Sequence, residues 1–252
     1  EGYELVVHPC DHRNINLAAE LNRFTERLKL DGAVLLPPLS ENAQLANIFT
    51  NASCQYVRIA SVQLDKPAHL VQTYDRLGVN QIADHLVDLG HRQIGFIHGP
   101  KDSLSAMERY EGFKNALAAH NIKLSKKHVA WGAYTFESGA ACAAQLLSND
   151  DSRPTAIFAS NDEMALGAMV AAATLNIGVP AQLSIAGFDD EPHASKIYPS
   201  LTTVNQNVRK IGQLAAEKLV ALCKNDPGQA AQVQTVVMPS LISRASTSPV
   251  RT

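Results

Sequence analysis

The stretch from Pro154 to Gln206 limits the possible folds more than any other part of the chain, because it reads strand, helix, strand with few residues to spare. Residues 156–159 form an apolar run of strand length, 161–175 carry a helical pattern, and 183–187 form a second apolar run. Apolar strands joined through a helix are the unit of a parallel sheet covered by helices. Polar residues follow each strand at once, Asn161 and Asp162 after the first, Asp189 and Asp190 after the second. Ligands of open α/β sheets bind outside the carboxyl ends of the strands, so two polar clusters at two such ends point to one pocket.

The same alternation runs through nearly the whole chain. Strands are expected at residues 3–8, 33–36, 56–60, 94–98, 129–132 and 233–238, and helices near 14–30, 41–49, 79–89, 106–120, 137–147 and 208–223. In the helix 79–89 the apolar positions are 79, 82, 83, 86, 87 and 89, and Gly90 supplies a C-cap. Pro37-Pro38 stops the strand at 33–36, and Asn225-Asp226-Pro227-Gly228 breaks the helical stripe that begins at Val208. Residues 61–75 are polar and irregular and read as a connection. Two series of βα units with a seam near residue 75 predict an α/β protein of two doubly wound parallel-sheet lobes.

Composition narrows the function. The 22 Lys and Arg against 24 Asp and Glu leave a formal charge of −2, so no basic surplus exists to neutralise phosphates, and DNA binding by this piece itself is not expected. Cys10, Cys54, Cys142 and Cys223 are scattered without a C-x-x-C pair, which suits buried thiols in a reducing compartment and gives no zinc-ligand spacing. No apolar run approaches the roughly 18 residues of a membrane span, and no signal peptide is read at the start. No nucleophile elbow, zinc-protease helix, P-loop or dinucleotide fingerprint occurs, and His8, His98 and His193 lack a nucleophile at a recognisable spacing. Neither catalysis nor a metal nor a cofactor is expected.

Several residues qualify for the pocket. Ser160 and Glu163 form a capping box at a helix start, and Asp162 in the first turn suits the helix dipole. Asn161 offers donors and acceptors that match adjacent sugar hydroxyls. Asp189 either closes an Asx turn or accepts from hydroxyls. Arg109, near the start of a helix, works against the dipole, and its alternative role is an exposed first-turn residue. Tyr134 and Trp131 are the aromatics nearest a strand end. A flat ring stacking on a sugar's C–H face would suit a carbohydrate pocket, core packing being the ordinary role of an isolated aromatic and the one kept for Trp131. Gln206 is either a cleft residue or a polar linker.

In order along the chain stand GYELVV, DGAVLLPP, HLVDLGHRQIGFIHGP, ERYEGFKNAL, RPTAIFASNDEMALGA, GVPAQLSIAGFDDEP, PSLTTV and LISRAST. This series resembles the effector-binding core of the lactose-repressor (LacI/GalR) family of bacterial transcription regulators. The resemblance implies a periplasmic-binding-protein-like fold with three crossover segments and a small effector, usually a sugar or nucleobase, between the lobes. Position by position it makes Arg109 the ligand-clamping arginine and Tyr134 the stacking aromatic. Asn161 and Asp189 become the hydrogen-bonding residues at strand ends, Gln206 a cleft residue, and Asp75 the counterpart of an acid near the first crossing. It also implies an N-terminal lobe of residues 1–76 plus 207–226 and a C-terminal lobe of 77–206 plus 227–252.

The family's helix-turn-helix headpiece and hinge helix have no counterpart in these residues, nor do the first strand and helix of lobe one, so a preceding segment is expected. The implied function is effector sensing and dimerisation in a cytoplasmic repressor, with operator DNA contacted only through the absent headpiece. Leu166, Val170 and Tyr198 are the candidates for a homodimer contact, their alternative being ordinary core packing. The competing reading is a periplasmic sugar-binding protein that feeds a transporter. If Arg109 and Asp189 serve only the ligand, alanine at either position leaves the unliganded melting temperature nearly unchanged.

Overall fold

The computed structural model describes residues 2–148 and 153–250. These form two compact units, Glu1–Val71 with Gln213–Thr235 and Gln72–Gly212 with Val236–Thr252, so the chain passes between them three times. In chain order the elements are α1 (Leu17–Leu28), β1 (Gly32–Leu35), α2 (Ala43–Asn51), β2 (Gln55–Ala60), β3 (Leu70–Thr73), α3 (Asp75–Asp88), β4 (Ile94–His98), α4 (Leu104–Ala119), β5 (Val129–Trp131) and α5 (Phe136–Leu147). Then come β6 (Ala156–Ala159), α6 (Asp162–Thr174), β7 (Ser184–Ala186), β8 (Thr203–Asn205), α7 (Val208–Cys223), α8 (Pro227–Gln232), β9 (Val236–Val237) and β10 (Ser240–Ile242).

In the second unit β5, β4, β6 and β7 make a parallel sheet in that order. Side chains alternate across it. Phe96, Phe158 and Ala186 point to one face and join Val79, Ile82 and Leu86 of α3 and Phe113 and Leu117 of α4. Ile97, Ile157, Ala159 and Ile185 point to the other and join Cys142, Ala143 and Leu146 of α5 and Met164, Ala165 and Ala168 of α6. Both faces are thus covered, which is why these strands are mostly apolar. β8 and β10 pair antiparallel, and the last two residues of β3 pair with β9.

In the first unit β1 and β2 pair in parallel, with Leu17 and Leu21 of α1 packed on Leu45 and Ile48 of α2. Residues 3–8, expected as a strand, are irregular, with Leu5 89 % and Val7 79 % exposed. A strand needs a neighbour for its backbone groups. Among the described residues none lies beside this segment, which instead stacks His8 on Phe24.

The division of the chain also departs from the expected one. Residues 72–76 and 207–212 lie in the second unit, and 227–235 in the first. Lys218 of α7 explains the latter. It is fully buried, and its Nζ donates to the carbonyls of Pro67 (2.8 Å), Ala230 (3.0 Å) and Val233 (2.8 Å), fastening α8 and the following turn to α7.

The expected strand at 233–238 contracts to β9, because α8 occupies residues up to Gln232 with Asp226 capping it through the Gln229 N–H. The stretch 61–75 is not merely a connection, since it contains β3 and ends on the first residue of α3. The four cysteines are free thiols, with Cys54 and Cys142 buried and Cys10 and Cys223 only half-buried. Among the described residues no helix is long and apolar enough to cross a membrane.

Candidate functional site

Arg109 organises the carboxyl end of the second unit's sheet. It lies in the second turn of α4 and is buried rather than exposed. Its Nε donates to Asp75 Oδ2 at 2.7 Å, its Nη1 donates to the Ser160 carbonyl at 2.5 Å, and Asp189 Oδ1 lies 3.3 Å from Nη1. The guanidinium sits 3.9 Å from the centroid of the Phe188 ring, a cation–π contact. Burial works against its charge, but the carboxylates of Asp75 and Asp189 more than offset this and hold it protonated well above the ordinary arginine range.

Each partner is positioned by local structure. Asp75 is the first residue of α3, where an acid suits the dipole, and it accepts from the Thr73 hydroxyl at 2.7 Å. Asp189 follows β7 with φ of 120°, and Asp190 with φ of 55°, both in the region that favours glycine. The turn is held from several sides. The Asp189 N–H donates to the Val204 carbonyl at 2.9 Å, and the Asp190 carboxylate accepts from Asn205 and from Arg244, each at 2.6 Å. Gln206 Nε2 donates to Asp189 Oδ1. Burial raises the Asp189 pKa to about 6, opposed by Arg109 and Gln206, while Asp75 and Glu191 add to the rise.

Asn161, not Ser160, caps α6: its Oδ1 accepts the Met164 N–H at 3.0 Å. Ser160 still belongs to the sheet ladder, its N–H donating to the Ile97 carbonyl at 3.0 Å, and its carbonyl is taken by Arg109, so the first helical bond runs from the Ala165 N–H to the Asn161 carbonyl. Asn161 Nδ2 donates to the Tyr134 carbonyl at 3.1 Å, so the amide makes two bonds within the protein and keeps one N–H and one lone pair. It ties Tyr134, itself at φ of 63°, to the start of α6. The Tyr134 ring lies against Gly99, where any Cβ would meet Cζ and Cε1 at 2.5–2.6 Å. Burial lifts the phenol pKa.

Asp162 does more than suit a dipole. It is fully buried, its Oδ1 accepts from Thr203 at 2.6 Å and its Oδ2 from the Glu191 N–H at 2.9 Å. Burial lifts it to about 7 despite those two donors, with Asp189 and Glu191 adding to the rise. Trp131, assigned to the core, is 45 % exposed and stacks on His98 with centroids 4.0 Å apart. It ends β5, an edge strand of the sheet, with Lys101 Nζ 4.9 Å from its ring centroid.

The structure therefore brings Asp75, Arg109, Asp189 and Gln206 into one bonded chain, with Asn161 and Tyr134 joined through Ser160's neighbour position and the Tyr134 carbonyl. Thr73, Phe188 and the Ser160 carbonyl were missed by sequence reasoning. Thr73 alone left a signal, a hydroxyl two residues ahead of a helix-opening acid. Leu166 is partly buried against the core, Val170 is 50 % and Tyr198 99 % exposed, and all three line one apolar groove.

This arrangement of a parallel sheet with polar residues at its carboxyl ends has known counterparts. A profile described as "Periplasmic binding protein-like domain" matches residues 83–247. The regulator DegA of Bacillus subtilis (strain 168) is 33 % identical over 257 residues, covering 100 % of this chain and 74 % of its own length. A sugar-binding transcriptional regulator of the LacI family from Escherichia coli, solved with phosphate, superposes with a TM-score of 0.79 at 29 % identity over 92 % of this chain and 82 % of that one. The chain belongs to the LacI family.

Within that family the regulator CelR, solved as a cellobiose complex, superposes with a TM-score of 0.82 at 27 % identity over 93 % of this chain and 71 % of that one. The chain spans about half the length of other LacI-family relatives it matches, 50 % of ExuR from Bacillus subtilis (strain 168) and 48 % of PurR from Haemophilus influenzae (strain PittEE). These are regulators rather than enzymes or transporter components, which sets the transporter reading aside.

Proposed function

We propose that this chain is the effector-sensing core of a cytoplasmic LacI-family repressor, and that its effector is a neutral sugar or similar polyhydroxylated molecule held at the Arg109 network. The observation that carries this is the set of hydrogen-bonding capacities left over. Among the described residues Arg109 Nη2, Asp189 Oδ2 and Gln206 Oε1 make no bond within the protein. One donor group and two acceptors on neighbouring side chains match vicinal hydroxyls, each of which both donates and accepts. Tyr134 supplies the flat apolar surface that a sugar's C–H face needs.

Arg109 acts as a keystone more than a clamp. Two carboxylates already flank its single positive charge, so the network carries one net negative charge and disfavours acidic ligands. Effector binding regulates operator DNA through a headpiece outside this chain, by a coupling limited to the effector's differential affinity for the two states, typically about 1–3 kcal/mol. The active form is a homodimer, with the exposed Tyr198 and Val170 and the partly buried Leu166 at the contact.

A thermal-shift panel of neutral mono- and disaccharides against uronic acids tests the effector class. Stabilisation by a neutral sugar and none by the uronates is expected; the reverse would overturn the reading. Sedimentation tests assembly. The wild-type protein is expected to be dimeric at tens of micromolar and Tyr198→Glu monomeric, whereas a monomeric wild type would remove the dimer from the account.

A further inference from the structure

The opposite end of the second unit's sheet carries a second pocket, which the Arg109 network does not touch. A cavity of about 180 Å³ lies where the chain enters β4 and β5, lined by Arg92, Lys123, Lys127 and His128 over Ile94 and Leu117. No carboxylate is in its lining. His128 is buried, while Arg92, Lys123 and Lys127 are exposed and, among the described residues, make no ion pair. Other cations of the same unit do have carboxylate partners. Arg76 pairs with Glu108, Lys114 with Glu111 and His120 with Asp84.

Three unmatched cations around one hollow repel one another, and the apolar floor of Ile94 and Leu117 weakens the screening between them. A recess lined by one sign of charge focuses the field and concentrates counter-ions. The carbonyls that end α4 do not cancel this potential, because Leu117 O accepts from the N–H groups of His120 and Ile122 and Ala118 O from that of Asn121. With a water taking about 30 Å³, the hollow holds a tetrahedral oxyanion together with part of the molecule that bears it. Its concavity suits a small ligand rather than the flat face of a macromolecule.

We propose that this recess is a binding site for a phosphate group, free or as the monoester of a small metabolite, with Arg92, Lys123 and Lys127 as its ligands. The site is independent of the effector reading. Isothermal titration of the whole protein at constant ionic strength tests it, with inorganic phosphate in one arm and glycerol 3-phosphate in the other.

Saturable binding is expected with a dissociation constant of about 1 mM or below, weakened at least tenfold in the triple variant Arg92→Gln, Lys123→Gln, Lys127→Gln and unchanged in Asp189→Asn. Tighter binding of glycerol 3-phosphate identifies a phosphomonoester as the ligand, and equal affinities identify free phosphate. All three replaced side chains are exposed, so the triple variant keeps the wild-type circular dichroism and melts no lower than wild type. No saturation with either probe, or equal affinity in the triple variant, would overturn the proposal, as would loss of binding in Asp189→Asn. Binding of a polyanion such as heparin with no binding of either small probe would also overturn it, in favour of a macromolecular partner.

Discussion

The two ends of the second unit's sheet hold the same kinds of residue in opposite states. At the carboxyl end Arg109 is buried, bonded to Asp75 and the Ser160 carbonyl, and flanked by Asp189. At the amino end Arg92 is exposed and, among the described residues, without an ion pair. A buried charge must be matched before the fold can close over it, so the arginine of the carboxyl end is part of the fold. An exposed charge costs the fold little and is free to meet a ligand. A residue type therefore says less about its task than the partners around it.

Replacing each arginine gives the largest expected contrast. Arg109→Leu leaves two carboxylates without their counter-charge and is expected to cost roughly 3–5 kcal/mol, a melting temperature lower by about 6–20 °C. Arg92→Gln should stay within about 0.5 kcal/mol of wild type. Thermal unfolding of the two variants checks this. It reverses the expectation that substitution of Arg109 spares the unliganded protein, and equal stabilities would erase the distinction between the two ends.

Titration gives the next effect. Asp162, at about 7 in the folded protein, keeps a proton that an unfolded chain releases near its ordinary value of 3.8. Between these values the native state binds more protons, so stability falls as pH rises, by about 1.4 kcal/mol for each pKa unit of the shift. Asp189, at about 6, contributes in the same direction. Effector affinity should move the other way, weakening below pH 6 as Asp189 loses its acceptor. Denaturation from pH 5 to 8 is expected to show the slope in wild type and a shallower one in Asp162→Asn. An equal slope in both would remove Asp162 as its source.

The smallest effect concerns the aromatic platform. Gly99→Ala puts a methyl where the Tyr134 ring lies, and the far end of that side chain can move aside. Melting is expected to change by under about 1 kcal/mol, while sugar affinity falls severalfold. An unchanged affinity would mean that the ring does not touch the ligand.

Much of this was legible beforehand. The almost wholly apolar strands at 94–98 and 156–159 announced a sheet covered on both faces, and the polar residues after 156–159 pointed to the carboxyl end where the Arg109 network lies. Asp75 was reached through the family resemblance alone, and its bond to Arg109 comes from a residue its own neighbourhood in the sequence does not mark. The short strands β3, β8 and β10 went unread. At three or four residues each, they are set by the neighbours they pair with rather than by a periodic pattern.

Ser160 and Asn161 are both good caps, and the distant Arg109, which takes the Ser160 carbonyl, leaves the Asn161 carbonyl to receive the first helical bond. Arg109's burial was equally hidden, since its carboxylates come from α3 and from the turn after β7, distant in sequence. Residues 3–8 carry a strand's composition without the neighbour a strand requires.

Calorimetric titration of wild type and Asp189→Asn with the sugar that stabilises the protein most tests the central claim directly. Asparagine keeps the shape of the side chain and removes the charge of the acceptor. A hydrogen bond to a charged group is worth about 1.5–3 kcal/mol, so affinity should drop roughly ten- to hundredfold, with the variant still folded. An affinity equal to that of wild type would place the effector somewhere other than the carboxyl end of this sheet.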